Sequence, residues 1–300
     1  MIVSSKLSKL TWITITSFCS TSMVVTNKLI LNRVHLPMSL TSCQLFAAFA
    51  LTGPKVASDG FTRMTYRDGL FYILEASLFA LSLLANLQAL MLTGVGTVIV
   101  GRSTVPLLTF AFEAVTSSKV NSRAMYRSLS SLVGVILFSS LYALTDGRVQ
   151  ISGKGGIIWL VLWICLVACQ MVYGKWLISS ISLSRWERVF YTNSCALPFM
   201  FLLCIDEWKH IDDSQNITEK YTLMLVMLSC TVGIAISYSS WRLRELISAT
   251  SFGLVGVVNK MVTVCVSALI WPKSFSVHGM FAITGCVLSA LFYSELRTKS

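Results

Sequence analysis

The sequence predicts an all-α integral membrane protein of ten transmembrane helices, arranged as two inverted five-helix repeats. Three observations carry that expectation. Hydrophobic residues make up 55% of the 300 residues and charged residues only 12%, about half the usual globular share. Apolar runs of about 20 residues, the length that crosses a hydrocarbon core, recur along the whole chain. Four cations lie in or at the edges of those runs, at matching points of the two halves. With a mean hydropathy of +0.72, the chain has too little charge to cover a water-soluble surface and too much apolar content for disorder.

The ten runs lie at about 10–31, 36–53, 69–92, 95–117, 125–145, 155–178, 187–205, 221–241, 249–271 and 275–295. The first follows a basic, polar start, Met1–Lys9, and has full span length, so it reads as a helix rather than a cleavable signal. The second is short, and 92–96 is a tight turn containing Gly94 and Gly96, so nine crossings is the alternative count. The remaining runs are continuous rather than alternating, which favours helices over a barrel. All nine cysteines fall inside these runs, where Cys behaves as a small hydrophobe.

Orientation follows from the loop cations. With both termini cytosolic, the cytosolic side holds 14 Lys and Arg and the far side six, among them Arg33, Lys154 and Lys220. The acidic loop Asp206–Lys220 then falls on the far side. It contains Asn216-Ile217-Thr218, a glycosylation sequon usable only on a lumenal or exterior face; an unused chance match reads the same way.

The four remaining cations are Lys28, Arg102, Lys175 and Lys260. Trp12 to Lys28 and Trp159 to Lys175 are both sixteen residues, in runs one and six. Arg102 and Lys260 lie in runs four and nine. Two copies of five helices, about 1–148 and 149–300, account for the pattern within a single transmembrane domain. Five is odd, so the copies take opposite orientations, a transporter signature with a midplane site.

A cation near the bilayer centre is a functional candidate by default. On run nine Gly253, Gly256, Lys260, Thr263 and Ser267 share one face, bordered by Asn259. Arg102, Thr109 and Glu113 share a face of run four, just before and after Pro106. Thr14, Ser17, Thr21 and Lys28 share a face of run one. Helix packing produces similar stripes, and Lys28 and Lys175 sit where they can snorkel to water. Within nearby spans only Glu75 and Glu113 are available to offset Arg102 and Lys260. Inward cations with few acids imply an anionic ligand, with phosphate groups the chemical fit. Run seven opens with Glu187-Arg188-Val189-Phe190-Tyr191-Thr192-Asn193. Its aromatic and amide groups suit a ring-shaped ligand or an interfacial aromatic belt.

Enzyme signatures are absent. The segment from Gly147 to Lys154 misses the P-loop spacing, and Gly94, Gly96 and Gly101 miss the dinucleotide fingerprint. The three histidines have no metal spacing, and no cofactor is implied. The basic loops are short and topogenic, which disfavours nucleic acid.

These segments resemble the nucleotide-sugar transporters of the drug/metabolite transporter superfamily, most of all their GDP-mannose branch. Ser251-Phe-Gly-Leu-Val-Gly256-Val-Val-Asn259-Lys260 is similar to the family's G-A-L-N-K motif. Phe190-Tyr191-Thr192-Asn193 is similar to its F-Y-N-N motif, and Val25-Thr26-Asn27-Lys28 to its first-helix T-N-K segment. The resemblance implies exchange of cytosolic GDP-sugar, GDP-mannose first, for lumenal GMP across the Golgi membrane, with the ER membrane as the alternative. It implies that Tyr191 and Asn193 face the base and that Gly256, Asn259 and Lys260 face the diphosphate sugar. With Lys28, Arg102, Phe190 and Thr263 these form the expected binding set. Thr192 stands where the family has Asn, and Val257-Val258 where it has Ala-Leu. A UDP-sugar or other phosphorylated metabolite therefore stays open as ligand, as does a non-transporting scaffold on the same fold. The lipid bilayer is an expected partner, and a homodimer is an open one.

Overall fold

The computed structural model describes residues 2–62, 64–93, 95–116, 122–146, 153–208, 219–270 and 276–293. The Asn216–Thr218 sequon and the loop cations Arg63, Lys119, Arg148, Lys209, Lys273, Arg297 and Lys299 lie outside them, as does the side chain of Ser267.

Among the described residues, ten helices occupy the ten predicted runs. They are α1 (Ile2–Leu31), α2 (Pro37–Asp59), α3 (Tyr66–Leu92), α4 (Val95–Thr116), α5 (Ser122–Thr145), α6 (Gly153–Ser180), α7 (Arg185–Trp208), α8 (Lys220–Leu246), α9 (Ala249–Ile270) and α10 (Val277–Leu291). Seven, α3 to α9, contain segments long and apolar enough to cross a membrane. α10 is apolar but has only 15 residues. α1 and α2, diluted by Ser, Thr and Gln, fall below that apolarity. α2 is a separate helix of 23 residues, longer than its apolar run, because Pro54 is accommodated within it.

The helices fall into two compact units. One comprises 1–80 and 177–246, the other 81–176 and 247–300, so each draws on both halves of the sequence. In the first unit α2 packs on α7 and α8, and α1 on α8. In the second α5 packs on α10 and α4, and α4 on α9. Lipid gives no hydrophobic drive for helix pairing, so small residues and close packing supply it. Ala76, Ala80, Ala85 and Ala89 of α3 are buried accordingly, while Phe18, Met91, Val115 and Met227 point outward. Gly285 of α10 leaves the space that Phe138 of α5 fills.

Acidic residues at helix ends fix how the pairs run. Glu207, near the end of α7, accepts from the N–H groups of Met38 and Ser39 at the start of α2 (2.6 and 2.9 Å). Glu113, near the end of α4, accepts from Ala249 N–H and Thr250 Oγ1 at the start of α9 (both 2.7 Å). Asp146, after α5, accepts from Ser276 N–H, the N-cap of α10. Carboxylates at helix N-termini satisfy orphan donors and oppose the macrodipole. In each case the end of one helix meets the start of the other, so α2 and α7, α4 and α9, and α5 and α10 are antiparallel pairs.

Candidate functional site

In the second unit, the polar face of α9 is set against α4 and α6. The Arg102 guanidinium of α4 reaches α9 at Gly256, where its Nη2 lies 2.9 Å from the position a Cβ would take. Its Cζ lies 6.0 Å from the ring of Trp163 on α6. Arg102 and Lys260 are close enough to repel one another electrostatically. Lys260 is exposed, between the buried Asn259 and Thr263, and among the described residues it makes no hydrogen bond or ion pair. The Oδ1 of Asn259 is buried with no hydrogen-bond partner among the described residues. Thr263 Oγ1 donates to the Asn259 carbonyl (2.7 Å), a bond within the helix. Five of the expected residues, Arg102, Gly256, Asn259, Lys260 and Thr263, are thus gathered on α4 and α9.

The start of α9 is clamped from two sides. Glu113 caps it, and Lys175 Nζ of α6 donates to the Ile247 carbonyl just before it (2.7 Å). Lys175, its sequence mate Lys28 notwithstanding, is held by this contact.

In the first unit, α7 begins with a capping box. Ser184 N–H donates to Glu187 Oε2 (2.8 Å), and Glu187 N–H donates back to Ser184 Oγ (3.3 Å). Glu187 Oε1 also accepts from Thr62 N–H (2.7 Å). One turn on, Phe190 stacks on Phe49 of α2 (5.3 Å, 26°) and meets Phe61 edge-on (5.8 Å). Tyr191 tilts against Tyr72 of α3 (5.8 Å). Asn193 is buried, and its Nδ2 donates to the Val189 carbonyl (2.6 Å). Thr192 Oγ1 is buried with no partner among the described residues.

Lys28 is exposed near the end of α1. Its neighbour Asn27 is held by Gln44 and Ser229. Gln44 Nε2 donates to Asn27 Oδ1 (3.0 Å) and to Ser229 Oγ (2.6 Å), and Ser229 Oγ donates to Asn27 Oδ1 (2.6 Å). That three-helix clamp, on α1, α2 and α8, fixes the backbone that presents Lys28. Gln44 and Ser229 were not in the expected set; a lone amide in an apolar run was the one available signal.

The sequence reading also missed an ion-pair network in the first unit. Glu75 of α3, 1% exposed, pairs with Arg244 of α8 (3.2 Å). Glu245 pairs with Arg185 (2.9 Å), Arg188 (3.2 Å) and Arg242 (2.9 Å). These four arginines sit within helices, and Arg188 is buried, so charge balance and not only topology accounts for them.

This chain is similar to proteins of known role. It is 30% identical over 293 residues to GDP-fucose transporter 1 of Arabidopsis thaliana, covering 93% of this chain and 83% of the relative. The chain belongs to the nucleotide-sugar transporter family. A second Arabidopsis thaliana relative, GDP-mannose transporter GONST3, is 31% identical over 76% of this chain and 62% of its own length. The GDP-mannose transporter of Eremothecium gossypii is 27% identical over 38% of this chain. No family model matches the chain. A crystal structure of a protein aligns with a TM-score of 0.69 over 97% of both chains at 13% identity, a likeness of fold alone. As a nucleotide-sugar transporter the chain is a multi-pass membrane protein and not an enzyme.

Proposed function

We propose that this transporter exchanges a cytosolic GDP-sugar for lumenal GMP, by alternating access of two inverted five-helix repeats in the Golgi membrane. The observation that carries the reading is the gathering of Arg102, Lys260 and Asn259 Oδ1, which has no hydrogen-bond partner among the described residues, on α4 and α9. Two mutually repelling cations are stabilised together by a diphosphate, and an amide oxygen accepts from a sugar hydroxyl. Gly256 lets Arg102 reach that face, and Thr263 adds a hydroxyl to it. Phe190, Tyr191 and Asn193 are assigned to the base and Lys28 to the charge of the nucleotide. The antiparallel pairing of α2 with α7, α4 with α9 and α5 with α10 supports inversion, since each pair joins helices five apart. The 14-to-6 bias of loop cations supports cytosolic termini.

Exchange requires that the loaded carrier reorient more readily than the empty one. A charged Lys260 is costly to move through a low-dielectric region until an anion neutralises it. GDP-mannose and GDP-fucose are the two sugars that the relatives' names supply. The deciding experiment uses purified protein in liposomes preloaded with GMP. Uptake of GDP-mannose or GDP-fucose is expected, with competition by GMP and not by CMP or inorganic phosphate. Thr192, in place of the family's Asn, motivates the second reading, a UDP-sugar. Inhibition by UMP alone overturns the guanine assignment.

A further inference from the structure

The start of α7 and the end of α8 in the first unit border an open cavity of about 390 Å³, lined by Leu183, Ser184, Arg185, Trp186, Tyr238 and Glu245. We propose that it binds the phosphodiester headgroup of an anionic membrane lipid.

Three observations support a phosphate ligand at this place. The first is charge. Arg185 Nε and Arg242 Nη1 both donate to the same oxygen, Glu245 Oε2 (each 2.9 Å), while Arg188 Nη1 takes Oε1 (3.2 Å). Three guanidiniums therefore share one carboxylate. Each carries five N–H donors in a planar fork that matches phosphate oxygens. The neighbouring acid, Glu187, is engaged by the N–H groups of Ser184 and Thr62. The local balance favours an added anion against Arg185, which lines the cavity and whose side chain is 38% exposed, with Arg242, 24% exposed, beside it on Glu245.

The second is depth. The apolar segment of α7 begins at Arg185, and that of α8 ends at Leu246, next to Glu245. The cavity lies at the edge of the membrane-crossing segments, where lipid phosphates stand. The third is the wall. Trp186 and Tyr238 pack with ring centroids 4.5 Å apart, and Trp12 of α1 approaches Tyr238 at 6.1 Å. Amphipathic rings of this kind settle at headgroup level. With Leu183 they give the glycerol end of a lipid an apolar surface, while Arg185, backed by Arg242 through Glu245, takes its phosphate.

The test is retention of lipid by the full-length transporter, extracted into mixed micelles of phosphatidylinositol and phosphatidylcholine and measured by native mass spectrometry. Preferential retention of phosphatidylinositol is expected. Arg185→Gln with Arg242→Gln is expected to lower that preference about tenfold, and the Arg→Lys pair to lower it less. Where the double variant does not fold, Arg242→Gln alone serves, with a smaller loss expected. Equal retention of the two lipids by the wild type, or an unchanged preference in the variants, overturns the proposal. A soluble arm separates the sources. If millimolar inorganic phosphate raises the Tm in phosphatidylcholine micelles as much as phosphatidylinositol does, the occupant is a free anion and the lipid assignment fails.

Discussion

The Arg102 guanidinium occupies the space that a side chain at Gly256 would need, with Nη2 2.9 Å from the position of an added Cβ. Glycine at this point of α9 is therefore a seat for a cation on α4. The same contact brings Arg102 towards Lys260, one turn along the α9 face.

The first prediction follows directly. Gly256→Ala gains helix propensity of roughly 0.8–1 kcal/mol but forces Arg102 to move. The guanidinium is the far end of a flexible side chain, so the move costs little stability. The expected result is a folded protein with little change in Tm and at least a tenfold loss of exchange. Full exchange by Gly256→Ala would show that the seat of Arg102 is irrelevant to transport.

Lys260 separates function from stability more cleanly. It makes no hydrogen bond or ion pair among the described residues, so truncation removes no polar contact of the fold. Lys260→Ala is expected to keep or slightly raise the Tm and to abolish GDP-sugar uptake into GMP-loaded liposomes. Lys260→Arg is expected to recover part of it. A drop in Tm without loss of uptake would assign Lys260 to the fold.

Glu75 is the opposite case. Its carboxylate is 1% exposed and pairs with Arg244 at 3.2 Å. Removing one partner of a buried pair leaves an uncompensated charge, at a cost of about 3–5 kcal/mol. Glu75→Gln is expected to lower the Tm in detergent markedly, and Glu75→Gln combined with Arg244→Met to restore part of the loss. Additive losses in the double variant would rule out the pair as the cause.

Phe190 and Tyr191 are adjacent in sequence but differ in what they hold. Phe190 contacts Phe49, Phe61 and Tyr191 through its ring. Phe190 is half-buried, and Phe190→Ala is expected to destabilise by about 1–3 kcal/mol. Tyr191→Phe keeps the packing against Tyr72 and is expected to leave the Tm unchanged while raising KM for the nucleotide. Competition by GMP, compared between Tyr191→Phe and wild type, reads the difference.

A further expectation concerns the cap of α9. Glu113→Ala removes the carboxylate that accepts from Ala249 and Thr250. Loss of a cap costs about 0.5–2 kcal/mol. The Tm is expected to fall by that modest amount, and exchange to fall with it, because the helix that carries Asn259 and Lys260 is set from this end. Hydrogen exchange at the first turn of α9 reports the loosening directly.

Much of this arrangement was legible from spacing alone. A run of 20 apolar residues has one stable way to satisfy its backbone in lipid, so helices appear where the runs lie, and seven of them are long and apolar enough to cross. The face of α9 was legible because 3.6-residue periodicity places Gly256, Lys260 and Thr263 in line. Pairwise partners were not. Glu75 and Glu113 read as the acids available to offset Arg102 and Lys260; the structure gives them partners the sequence did not signal, Arg244 for Glu75 and the start of α9 for Glu113. Which acid meets which base depends on how helices far apart in sequence are packed, and periodicity within one helix carries no information about that. Arg185, Arg188, Arg242 and Arg244 read as loop cations for the same reason: counting charges near span ends cannot distinguish a solvated arginine from one turned inward onto Glu245 or Glu75.

By itself, then, the sequence determined the membrane class, the number and placement of the helices and the small set of cations that apolar runs do not need. Local chemistry decides those features: backbone satisfaction, helix period and the cost of charge in lipid act within one segment. Only the tertiary structure decided that Arg102 rests on Gly256, that Asn27 is clamped by Gln44 and Ser229, and that each compact unit draws helices from both halves. Those are outcomes of close packing between segments up to some 200 residues apart. They are set by the shapes and partners that meet there, which no single run can specify.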